Sequence, residues 1–86
     1  MHDFYLAKEI LDQVLLAAQK HHLNKVNRAV IKLGQFIEHD EKILPVNLKN
    51  NFQLLAKGTI AQDAELTVQK LAKNNHWELV EIEGDR

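Results

Sequence analysis

The chain has 86 residues, of which 45% are hydrophobic, with 11 Lys and Arg against 12 Asp and Glu and no cysteine. This length supports one domain with a modest core, where burial barely exceeds the loss of chain entropy. The scattered, near-balanced charge offers no basic stripe to nucleic acid, and no apolar run approaches the ~20 residues of a membrane span. Without cysteine there is no disulfide framework, thiolate nucleophile or cysteine zinc site. The absence of a charged-then-apolar leader points to the cytoplasm.

His2 stands one peptide bond from the amine of Met1, followed by Asp3. Amine, backbone amide nitrogens and imidazole can close fused chelate rings around one ion. Retention of Met1 is expected, because methionine aminopeptidase favours a small second residue. An ordinary start of the chain is the plain alternative, since periodicity says nothing about this motif.

Over residues 4–21, Leu6, Ala7, Ile10, Leu11, Val14, Ala17 and Ala18 recur at helical spacing, with Lys8, Glu9, Asp12, Gln19 and Lys20 opposite. That pattern predicts an amphipathic helix, with Asp3 as its N-cap. Tyr5 and Leu16 project away from the apolar arc, either as isolated surface groups or as edges of a partner surface. His21 and His22 are expected to close the helix, because His tolerates the left-handed conformation that a C-terminal cap requires. Adjacent side chains there splay by about 100 degrees, which makes joint metal chelation the weaker reading.

Residues 25–33 read as a strand whose Ala29, Ile31 and Leu33 face the helix, with Gly34 marking a bulge or turn before Phe36. Glu38-His39-Asp40-Glu41 reads as an acidic loop, either solvated or supplying His39 and Asp40 to the amino-terminal site. Pro45 suits the first turn of a second helix with Leu48, Phe52 and Leu55 as its buried row, closed by a basic last turn at Lys57 and a cap at Gly58. Residues 64–72 and 76–83 read as two further strands, joined into a hairpin at Asn74-Asn75, with Trp77 as a core anchor. The fold expected is α/β (α+β), with two helices on one face of a small three-stranded mixed sheet, in the order helix-strand-helix-strand-strand. The strand-helix-strand crossover should be right-handed.

The Met-His-acid start, the row Leu6, Ile10, Leu11, Val14 and Ala18, the Val30-Ile31-Lys32-Leu33-Gly34 strand end, the 52–59 segment ending Lys57-Gly58-Thr59, and Ala64-Glu65-Leu66 together resemble the hydrogenase nickel-incorporation accessory proteins, the HypA/HybF family. The resemblance runs over nearly the whole chain. It implies a cytoplasmic nickel metallochaperone serving a maturing nickel-iron hydrogenase, usually beside a GTPase partner. It also implies Ni(II) ligands at His2, the amine of Met1, the backbone nitrogens and Asp3, with His39 and Asp40 as further candidates. Family members insert a zinc ribbon with paired Cys-x-x-Cys motifs between the second and third strands. Here only Lys73-Asn74-Asn75 occupies that place, so no zinc is expected. A nitrogen-rich planar site suits Ni(II) or Cu(II), and ligand field alone does not separate the two. The alternative is a metal-free interaction module or regulatory paralogue that keeps the fold. An enzyme is not expected, because the sequence offers neither a phosphate-cradling glycine loop nor a nucleophile with an evident base.

Overall fold

The computed structural model describes residues 3–38 and 41–86. Its elements are α1 (Asp3–Lys20), β1 (Lys25–Leu33), β2 (Ile37–Glu38), β3 (Glu41–Lys42), α2 (Pro45–Ala56), β4 (Glu65–Lys70) and β5 (Trp77–Asp85). The helical arc of α1 is buried at Leu6, Ala7, Ile10, Leu11, Val14 and Ala18, as its spacing dictates. Against it lie Leu48 and Phe52 of α2 and Ile31 of β1, each with 0% exposure. Burial of one such side chain contributes roughly 1.5–3 kcal/mol. The row on α2 is Leu48, Phe52 and Ala56, and Leu55 is only partly buried beside it.

The end of α1 is closed by backbone geometry. His22 takes φ 57°, its amide donates to the Gln19 carbonyl at 3.2 Å, and the Leu23 amide donates to Ala18 at 2.9 Å. This pair of bonds is a Schellman closure with a histidine in the left-handed position, and Leu23 then packs on the core. At the other helix the expected basic last turn is absent: α2 ends at Ala56, and Lys57 has turned to an extended ψ of 132°. Gly58, at φ 81°, supplies the reversal, and the Thr59 hydroxyl donates back to the Ala56 carbonyl at 2.7 Å.

The sheet order is β4-β1-β5, with β4 parallel and β5 antiparallel to β1. The hairpin expected between the last two strands therefore does not form. β1 carries the most buried run of the three strands, with Val30 nearly covered on the sheet face away from the helices, and it takes the central position. Residues 71–76 pass over the end of β1 instead of turning tightly. The Leu71 amide donates to Leu33 and the Asn75 amide to Gln35, while the Gly34 amide donates to His76. That strap explains Gly34: a Cβ there would lie 1.8 Å from the Lys73 carbonyl oxygen. Of the two asparagines only Asn75 has positive φ.

Two register shifts alter the simple alternation of β1. One falls between Val26 and Arg28, and it brings Val26 into the core together with Ala29, Ile31 and Leu33. The other falls opposite Val30 and Ile31, leaving Val80 of β5 unmatched. Trp77 lies at the rim of the core, partly buried, and is not the central anchor that its size suggested. The acidic stretch is not wholly loop, since β2 and β3 form a two-residue antiparallel ladder.

Candidate metal centre at the amino-terminal end of the first helix

Asp3 is the first helical residue, one position inside the cap expected for it, and it is half-buried in the first turn. Its negative charge there suits the positive end of the helix dipole. Met1, His2, His39 and Asp40 lie outside the described residues.

The strand register shows which end of the molecule this is. Leu33, the last residue of β1, pairs with Trp77, the first of β5. The Trp77 indole nitrogen donates to the Glu9 carboxylate of α1 at 3.4 Å. The other end of the helix meets the opposite end of the sheet, where His21 and Leu23 share a cleft with Glu83 and Gly84. Helix α1 therefore runs back along β1, and from Glu9 to Asp3 it rises about 9 Å further. The segment 34–36 that follows β1 leads into β2 at this same end, so the topology brings β2 and the start of α1 to one pole of the fold.

An open cleft of about 430 Å³ lies beside this part of α1, lined by Glu9, Gln13, Phe36, His76, Trp77 and neighbouring residues. Near it the His76 imidazole stands 3.6 Å from the Glu78 carboxylate, both half-exposed. Sequence reading missed this cleft because its walls come from three separate segments. Among the described residues, no group of three His, Asp or Glu side chains is placed to hold a metal ion.

His21 and His22 sit at the far pole, both exposed, with His22 committed to the helix closure. Nothing brings them toward Asp3. Tyr5 and Leu16 are exposed, at 62% and 51%, and Phe4 meets Tyr5 edge-on with ring centroids 5.9 Å apart.

A family model described as hydrogenase/urease nickel incorporation, metallochaperone, HypA, matches residues 1–76. The chain is a member of the HypA family. It is 31% identical over 71 residues to the hydrogenase maturation factor HypA of Legionella pneumophila strain Lens, covering 83% of this chain and 59% of that protein. To the HypA of Methanosarcina mazei it is 33% identical over 69 residues, covering 80% of this chain and 47% of that one. The chain thus spans about half the length of the relatives it matches. In fold it is similar to the solution structure of the Ni metallochaperone HypA from Helicobacter pylori, with a TM-score of 0.76 at 13% identity, over 99% of this chain and 98% of that one.

Proposed function

We propose that this chain carries Ni(II) at its amino terminus and delivers it during maturation of a nickel-iron hydrogenase. The observation that carries the reading is the family match over residues 1–76, which includes Met1-His2-Asp3 in front of a helix that starts at Asp3. In this reading the His2 imidazole, the Met1 amine and the intervening amide nitrogens bind the ion, and Asp3 fixes their position through the first turn of α1. His39 and Asp40 are further candidates. The work is carriage and not catalysis, and a nickel-insertion GTPase and the client enzyme are the expected partners. No zinc is expected, since the chain contains no cysteine.

The test is calorimetric titration of Ni(II) into the native chain and into a chain extended by one Gly before Met1. The extension moves the amine by roughly 3.5 Å and leaves the imidazole in place. Affinity should collapse in the extended chain. Protons compete for the same nitrogens, so affinity should rise with pH through about 7 to 8, where an α-amine deprotonates, and fade below about 6 as an imidazole charges. Equal affinity in both chains would return the motif to an ordinary start and helix opening.

A second reading is a metal-free interaction module. What favours it is the short strap at residues 71–76, which packs against Gly34 in the place where the family resemblance implies a zinc ribbon. Absence of nickel binding by the native chain would select this reading.

A further inference from the structure

Among the described residues no strand pairs with the outer side of either edge of the sheet, and the two edges are built differently. On β5 the register is broken at Val80, and Glu78, Glu81 and Glu83 are all exposed. A bulge and a row of charges are the usual devices that stop a second strand from pairing. The β4 edge has no bulge, and its only charges are Glu65 and Lys70 at its two ends. Its six residues keep an unbroken register with β1, and it is the other outer strand of the sheet.

The direction of its free backbone groups follows from one bond. The Leu71 amide donates to the Leu33 carbonyl of β1 at 3.1 Å. Alternation along the strand then turns Gln69 and Thr67 toward β1, and turns the amides and carbonyls of Val68 and Lys70 outward. That outward stretch borders a groove of about 570 Å³, whose apolar lining includes Ile43, Leu44, Pro45 and Val68. Lys42 and Lys70, both exposed, are its charged lining residues, and no carboxylate lines it among the described residues. The start of α2 reinforces the sign. Leu44 makes no side-chain cap bond and the first turn contains no acid, so the positive helix end at the groove is unopposed.

We propose that the β4 edge accepts an extended segment of a partner protein as a fourth strand, one whose groove-side face carries an apolar residue flanked at i−2 and i+2 by acidic ones. Its backbone pairs with Val68 and Lys70, whose side chains share one face of the sheet; its apolar side chain covers Val68, Ile43 and Leu44, and its flanking carboxylates meet Lys42 and Lys70. The groove lies at the pole that also holds the start of α1, so a docked partner would sit near the proposed nickel ligands. The docking does not require the metal.

The probe is a fluorescein-labelled, acetylated Glu-Ser-Val-Ser-Glu amide, whose two carboxylates and valine share one face when extended, titrated into the full chain in the presence of chelator. Fluorescence anisotropy and amide NMR shifts provide the readout. We expect saturable binding that weakens with salt, with shifts centred on residues 66–71. Affinity should fall at least tenfold in Lys42→Glu/Lys70→Glu, whose exposed positions leave the circular dichroism unchanged, and should vanish when every probe amide is N-methylated. His2→Ala should bind the probe like the parent chain, which separates this proposal from the nickel reading. Absence of binding, equal binding of a Lys-Ser-Val-Ser-Lys probe, indifference to N-methylation, or shifts centred on β5 would overturn it. So would displacement of the probe by self-association of the chain, which would make a second copy the occupant.

Discussion

The two ends of α1 both carry imidazole in the sequence, and the proposed function gives it a different purpose at each. At the carboxyl end, His22 is fixed at φ 57° and the Leu23 amide reaches back 2.9 Å to Ala18, so the backbone closes on itself. At the amino end the helix opens on Asp3, whose charge suits the helix dipole, and the exposed rings of Phe4 and Tyr5 follow. A histidine beyond the last turn contributes conformation, whereas in the proposed reading the histidine beside the chain's amine contributes donor atoms. Position relative to the helix ends therefore says more about these histidines than their number does.

The sharpest way to break this comparison is to remove one imidazole from each pole. His2→Ala should lower nickel affinity by a hundredfold or more in calorimetry, with an unchanged melting curve. His21→Ala and His22→Ala should leave nickel binding within about twofold. Dominance of either over His2 would reverse the assignment. Parallel titrations of His39→Ala and Asp40→Ala decide whether these two residues contribute to the same site.

Next in size is the scaffold that holds the helix. Phe52 is completely buried against α1, so Phe52→Ala should cost about 3–5 kcal/mol in urea unfolding, a large share of what a small domain has. Gly34→Ala should also destabilise, because its new Cβ meets the Lys73 carbonyl and the strap must shift. Chelator should leave both circular dichroism and melting unchanged in the parent chain. Unfolding on metal removal would place a structural ion within the fold.

These effects also show what was legible in the sequence. The buried arc of α1, the closure at His21 and His22, Pro45 at the first turn of α2 and the buried Phe52 are local matters, and periodicity or a single residue's conformational preference specified them. The strand order was not local. Asn74-Asn75 looks like a hairpin turn, yet β5 pairs with β1, because the strand with the most apolar run takes the sheet's centre and the strap crosses its end. The bulge that brings Val26 into the core is equally invisible to a period of two. Of the candidate ligands, only Asp3 falls within the described residues; its place in the first turn was readable from its charge and position.

A smaller effect is expected at the closed end. A non-glycine residue held at φ 57° pays for its Cβ, so His22→Gly should stabilise by about 0.5–1 kcal/mol, and a β-branched His22→Val should destabilise. For a domain of this size 1 kcal/mol corresponds to roughly 4–8 °C in Tm, well within reach of a thermal scan. A neutral response to both substitutions would mean that the helix closes in some other way.

The smallest effect tests the tie between the amino-terminal half of α1 and the sheet. The Trp77 indole donates to Glu9 over 3.4 Å, a long bond between exposed groups. Such a bond competes with water on both sides, so Glu9→Gln should change stability by no more than about 0.5 kcal/mol. The same argument separates Trp77 from Phe52. Trp77 packs on the outside of the core beside Leu79, whereas Phe52 has no exposed surface. Trp77→Ala should therefore cost clearly less than Phe52→Ala, although indole is the larger group. Because Trp77 is the single tryptophan, its emission gives an independent check: a partly exposed ring should be quenched readily by acrylamide. A large loss of stability in Glu9→Gln, or an indole shielded from quencher, would place Trp77 inside the core and make the amino-terminal end as firmly closed as the other.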